Sequence, residues 1–229
     1  VVKRGRSTTP LRSSRWRDTR WLVLAPHADD ETIGAGALIA ETAAKRRLAG
    51  VVFVTDGSAS HGSNGPRDLA ALRRFEARAA LRLLAPQAPH PVFLNWPDAR
   101  PPSPGAPIWA DAVRLLGALC RSRSVDAIAT TSALDPHCDH QAASALAREV
   151  ALTAMRRIDV FDYVVWANDV PQGRAFRTEP YPPGPRRLAL AAHRSQMTPL
   201  YGQGFRVPER LRRMPNADTL YLEAARHAP

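Results

Sequence analysis

The sequence has little cysteine, almost no lysine and no long apolar run. Two cysteines in 229 residues, Cys120 and Cys138, cannot build a disulfide framework, which sets aside the small secreted scaffolds and favours a reducing, cytoplasmic setting. The longest apolar stretches, WLVLAP at 21–26 and VVFV at 51–54, are strand-sized, whereas a membrane-spanning helix needs about 20 residues. No apolar segment of signal-peptide length follows the basic first twenty residues. A protein without a membrane span is therefore expected. Lysine occurs only at positions 3 and 45, so the formal net charge of +11 rests on arginine. Such a balance suits an anionic partner, but no helix-turn-helix, finger or aromatic-basic pattern accompanies it. Arginines on a solvated surface account for most of it, and no nucleic-acid partner is expected.

What is present is an alternation of strand-like and helix-like segments. Residues 1–19 lack hydrophobic periodicity and read as a basic, flexible arm, with one domain over 20–229. Trp21–Ala25 and Val51–Thr55 read as buried strands, with a helix over Ile33–Arg47 between them. A helix over Leu69–Leu84, a short strand at Val92–Leu94 and a proline-punctuated loop over 95–107 follow. Next come a helix near Trp109–Arg121, a strand near Ala127–Thr130, a helix from about His140 to Met155 and a strand-sized run at Val160–Trp166. A second Pro/Gly-rich loop covers 170–185, before a short helix over Leu188–Gln196. Strands alternating with helices predict a single Rossmann-like α/β domain, a mostly parallel sheet flanked by helices. Its site belongs at the C-terminal ends of the strands.

Two clusters carry chemistry. Pro26-His27-Ala28-Asp29-Asp30-Glu31 follows the first buried strand directly. Zinc accepts imidazole nitrogen and carboxylate oxygen, and a His with an Asp three residues on can close on one ion. That leaves Asp29 to serve as a general base. A helix N-cap with a dipole-favouring Glu31 explains one acid, but not a histidine with two consecutive acids. His137-Cys138-Asp139-His140 follows the strand near Ala127–Thr130, at the same predicted sheet edge. Together the clusters offer three metal ligands and an open position for water, the arrangement of a catalytic rather than a structural zinc. Cys138 reads as a buried bystander thiol.

With these motifs in place, the chain resembles the PIG-L/LmbE-like zinc-dependent N-acetylglucosaminyl deacetylases. The first cluster is similar to their (P/A)-H-x-D-D-E signature, with Ala28 at a position where proline is commoner, and the second to their H-x-D-H signature. Thr55-Asp56-Gly57 resembles their T-x-G turn, Arg73-Arg74-Phe75-Glu76 their R-x-x-E helix, and His193-Arg194-Ser195-Gln196 their late H-x-S-Q. The loop at 95–107 has no counterpart in this pattern.

The resemblance implies Zn²⁺ held by His27, Asp30 and His140, with Asp29 as the base for a metal-activated water. It gives His137 the oxyanion or the leaving amine, and Asp139 the orientation of a neighbouring histidine. It implies removal of an acetyl group from the amide nitrogen of an N-acetyl amino sugar or its conjugate. Arg73, Arg74, Thr55, His61 and His193 are candidate substrate contacts, each with a surface or supporting role as its plainer alternative. The partner is a small amino-sugar-type molecule. Competing readings are an amidase for another small acylated amine, a non-catalytic glycan-binding relative, and a basic nucleic-acid-binding protein.

Overall fold

A computed structural model describes residues 7–64 and 66–223. Eight strands form one sheet among these residues: β1 (Thr8–Pro10), β2 (Trp21–Ala25), β3 (Leu48–Thr55), β4 (Val92–Trp96), β5 (Ala127–Thr131), β6 (Asp159–Tyr163), β7 (Arg174–Arg177) and β8 (Thr219–Leu222). Their spatial order is β1-β7-β8-β6-β5-β2-β3-β4. All neighbours are parallel except β8, which runs antiparallel to β6 and β7. Helices α1 (Asp30–Ala44), α2 (Leu69–Leu84), α3 (Pro107–Ser122) and α4 (Cys138–Thr153) follow β2, β3, β4 and β5 in turn.

The central strand explains the layering. In β2 the side chains alternate across the sheet: Trp21, Val23 and Ala25 enter one core, and Leu22 and Leu24 enter the other. A strand buried on both faces must be apolar throughout, which is what WLVLA provides. From β2 the chain winds one way through β3 and β4, then returns to β5 on the other side of β2 and winds out through β6. The strand order therefore reverses between β2 and β5, and a crevice opens there at the C-terminal ends of the strands.

The expected helix Ile33–Arg47 lies three residues earlier, at Asp30–Ala44, because Arg46 takes a left-handed conformation (φ 54°) that ends it. It is buried almost throughout rather than on one face. Gly34 permits this, since a Cβ there would fall 2.2 Å from the Tyr163 ring. The Tyr163 hydroxyl in turn donates to the Leu24 carbonyl at 2.9 Å, tying the start of α1 to β2.

Three expectations need correction. The loop expected over 170–185 contains β7, whose Ala175 and Phe176 are buried while Arg174 and Arg177 face solvent. A four-residue strand beside prolines is too short for periodicity to reveal. The helix expected over Leu188–Gln196 is two helices, α5 (Pro183–Ala192) and α6 (Arg194–Met197), broken at His193. Pro183 sits in the first turn of α5, where its missing N–H costs nothing.

The arm expected over 1–19 does not hold for residues 8–19, and residues 1–6 lie outside the described residues. Thr8, Thr9 and Pro10 pair with Ala175, Phe176 and Arg177. Trp16 is buried against Phe161 and Phe176, with ring centroids 5.2 and 4.7 Å away, and its Nε1 donates to Asp159 Oδ2 at 2.7 Å. Trp16→Ala is expected to lower stability by about 3–5 kcal/mol, measured by chemical denaturation. An unchanged unfolding midpoint would show that this segment does not belong to the core.

Candidate metal centre

The turn after β2 and the start of α4 after β5 meet across the crevice. His27 Nδ1 lies 3.2 Å from Asp30 Oδ2, and His140 Nε2 lies 3.3 Å from the same oxygen. One donor atom from each of His27, Asp30 and His140 lies within 4.8 Å of the others, a group able to hold a metal ion. A second such group, His27 with His137 and Asp139, shares the His27 ring.

Tautomers follow from the outer partners. His27 Nε2 faces Asp139 Oδ2 at 2.9 Å and Asp98 Oδ1 at 3.4 Å, so in the neutral ring a metal would need, Nε2 keeps the proton and Nδ1 offers the lone pair. His140 Nδ1 faces Asp135 Oδ2 at 2.9 Å, so in the neutral ring the lone pair falls on Nε2. That Nε2 is buried and makes no hydrogen bond. An unsatisfied buried imidazole nitrogen aimed at a carboxylate and a second imidazole fits a divalent ion, and carboxylate-backed histidines are the usual support for one.

The electrostatics agree. Burial alone would push the Asp30 carboxyl up, but His140 and His27 hold it far below the ordinary carboxylate range. Burial would lower His27, yet Asp139, Asp30 and Asp98 raise it well above the usual imidazole value. Asp98 resists the upward push of burial through His27 and Arg73 and sits at about 2. These buried carboxylates call for positive charge between them.

Asp29 differs from its neighbour. Burial and the adjacent Asp30 charge raise its carboxyl to about 7. It stands at the N-terminal boundary of α1 but makes no capping bond. Its backbone is at φ 129°, ψ −30°, a conformation costing an L-residue on the order of 1–3 kcal/mol. The carboxylate faces a cavity of about 210 Å³, lined also by Ser60, Arg73, Asp98, His137, Trp166 and Phe205. Trp166 and Phe205 meet edge-on at 5.8 Å.

His137 is half-exposed at the rim, and its Nδ1 accepts the Asp139 backbone N–H at 3.2 Å. Burial and the neighbouring His27 lower its pKa. It is thus a neutral imidazole whose proton is on Nε2.

Of the candidate substrate contacts, only Arg73 lines the cavity. Its guanidinium donates to Ser60 Oγ at 2.7 Å. It passes over Gly57, where a Cβ would meet it at 2.4 Å. Arg74 points elsewhere and bonds Asn95 Oδ1 at 3.2 Å. Thr55 donates its hydroxyl to the Pro26 carbonyl at 3.0 Å. His61 is buried against Ser60 and Arg206, and His193 is fully buried against Glu31. None of these four reaches the cavity.

Cys138 is exposed, a correction to the buried thiol expected there, because it opens α4 on the outer side while His140 turns inward; Cys120 is the buried cysteine. Asp98 and Asp135, which face His27 and His140, are carboxylates of this site that the sequence reading missed. Asp98 lies in the unmapped loop, and Asp135 lies five residues before His140, outside any recognised spacing.

Residues 22–151, more than half of the chain, match the family described as PIG-L, GlcNAc-PI de-N-acetylase. The matched residues include His27, Asp30 and His140, the group able to hold a metal ion. The chain belongs to the PIG-L family. No curated protein sequence matches it. Among solved structures it is similar to the N,N'-diacetylchitobiose deacetylase of Pyrococcus horikoshii in complex with an inhibitor, at 19% identity and a TM-score of 0.64, covering 93% of this chain and 85% of that one. It is similar to the zinc-inhibited form of the teicoplanin deacetylase Orf2, at 18% identity and 0.63, covering 89% and 97%. It also resembles GalB, the 4-carboxy-2-hydroxymuconate hydratase of Pseudomonas putida, at 17% identity and 0.57, covering 92% and 98%. These identities show the fold alone, which hosts more than one chemistry. Among the described residues no helix is long and apolar enough to cross a membrane.

Proposed function

We propose that this chain hydrolyses the acetamide of an N-acetyl amino sugar or a conjugate of one, with Zn²⁺ held by His27, Asp30 and His140. The observation that carries this reading is the buried His140 Nε2, which makes no hydrogen bond and lies 3.3 Å from the Asp30 oxygen that also faces His27 Nδ1. When bound, the ion supplies Lewis acidity, polarising a carbonyl and lowering the pKa of water to about 7.

The chain's own residues do the rest. Asp29, which lines the cavity beside the ion site, takes a proton from the attacking water as its oxygen bonds to the acyl carbon. A carboxylate within reach of the water and of the leaving nitrogen can both accept and return the proton. His137, neutral and protonated on Nε2, donates to the oxygen that gains negative charge at the tetrahedral stage. Asp29 then gives its proton to the departing nitrogen as the carbon–nitrogen bond breaks, leaving acetate and a free amine. Asp139 and Asp98 hold the His27 ring, and Asp135 holds that of His140.

The cavity supports a sugar-sized group. Its volume of about 210 Å³ is below the roughly 300–1,000 Å³ of pockets for drug-sized ligands. Trp166 and Phe205 offer an apolar wall to a ring face, and Arg73, Ser60 and Asp98 offer polar partners to hydroxyls.

Asp29→Asn is expected to lower acetate release from N-acetylglucosamine derivatives by about 10²–10⁴-fold while zinc stoichiometry is kept. A variant turning over at the wild-type rate would remove Asp29 from the mechanism. Asp135→Asn is expected to weaken zinc about 10–100-fold in a chelator competition titration. Undiminished affinity would show that His140 needs no carboxylate behind it.

A further inference from the structure

Several contacts beyond the ion site converge on the turn that carries Asp29; of the side chains that make them, Gln196 lines the cavity and Glu31, Glu76, His193 and Ser195 do not. Glu31 folds back along this turn. Its Oε2 accepts the Asp29 backbone N–H at 2.8 Å, and its Oε1 accepts the Thr32 hydroxyl at 2.6 Å. The same Oε1 accepts from His193 Nε2 at 2.9 Å. Glu31 and His193 are both fully buried. A glutamate present only to favour the α1 dipole would have no need of a buried imidazole.

The far side of this contact is itself anchored. His193 marks the break between α5 and α6, and Ser195, two residues on, is bound to Glu76 of α2. Its backbone N–H and hydroxyl reach the two carboxylate oxygens at 2.8 and 2.6 Å. Gln196 donates its side-chain amide to the Ala28 carbonyl. The segment His193–Gln196 is thus fixed to α2 and grips the residues flanking Asp29–Asp30. Asp29 meanwhile sits at φ 129°, a backbone state that persists only where surrounding contacts impose it.

We propose that His193, acting through Glu31, is a positioning residue that holds Asp29 in its positive-φ conformation and so aims its carboxylate into the cavity. The clamp rests on the reading of Asp29 as the base. Neither His193 nor Glu31 touches substrate: Glu31 fixes the Asp29 N–H, and His193 fixes the carboxylate of Glu31. The break between α5 and α6 then has a purpose, since it turns the imidazole from the helix end toward the β2–α1 turn.

The test is a double-mutant cycle using the N-acetylglucosamine derivative that the wild type hydrolyses best. His193→Leu removes the donor, and His193→Gln restores an N–H near the position of Nε2. In the wild-type background His193→Leu is expected to lower kcat by about 10²-fold, the scale of a 1 Å misplacement, with KM and zinc affinity within about twofold. His193→Gln should recover most of that loss. In the Asp29→Asn background His193→Leu should cost less than about twofold, because the group it aims is already disabled. A crystal structure of His193→Leu should show Asp29 released from φ near 129°.

An unchanged kcat, an equal loss in both backgrounds, or an Asp29 conformation that survives the substitution would overturn the clamp. Wild-type turnover by Asp29→Asn alone would instead overturn the base assignment. Should His193→Leu not fold, Glu31→Gln decides the same cycle, since its amide cannot accept from both Asp29 N–H and His193.

Discussion

Three carboxylates, from Asp30, Asp98 and Asp139, converge on the single imidazole of His27 at 3.2, 3.4 and 2.9 Å. All three are buried, and Asp135 adds a fourth behind His140. Packing this much negative charge in a low-dielectric crevice is costly unless cationic charge shares it. Protonated histidines can supply that charge in the empty protein, and a divalent ion supplies it with the lone pairs that the outer carboxylates leave on His27 Nδ1 and His140 Nε2. The rest of the site follows from this constraint. Asp30 stays ionised because it faces both rings, and that charge in turn raises Asp29 next to it. Adjacent aspartates thereby acquire opposite proton affinities from environment alone.

The fold meets the constraint by geometry. Reversal of strand order between β2 and β5 sets two loops side by side; each runs straight into a helix, with His27 in the first loop and Asp30 and His140 in the first turns of α1 and α4. The other supports arrive from farther along the chain: Asp98 from the loop after β4, Arg73 from α2, and the His193–Gln196 segment between β7 and β8. Sheet, helices and late turn therefore each hold a different part of one small volume.

How much of this was legible depended on contiguity. The clusters at 27–31 and 137–140 could be read because their chemistry lies within a few residues and beside strands whose apolar runs are unmistakable. Arg73 and Arg74 could not be separated by sequence alone. Along the helix, Arg73 shares its buried face with Glu76, Ala77 and Ala80, and Arg74 falls one residue off that face. Asp98 was hidden among prolines that gave no register, and Asp135 was hidden because its partner is fixed by a turn rather than by a helical repeat. Trp16 stands among polar and basic residues in sequence; its aromatic partners Phe161 and Phe176 are more than a hundred residues away. β7 and β8 are four residues each, too short for alternation to stand out. Long-range pairing, not propensity, makes them strands.

The most direct test of the account is anomalous diffraction at the zinc edge from crystals of the zinc-loaded protein. The account predicts one peak per chain, shared by His27 Nδ1, an Asp30 oxygen and His140 Nε2, with Asp29 beside it and not bound to it. A peak held instead by His27 Nε2, His137 and Asp139, or none at fully loaded stoichiometry, would contradict it.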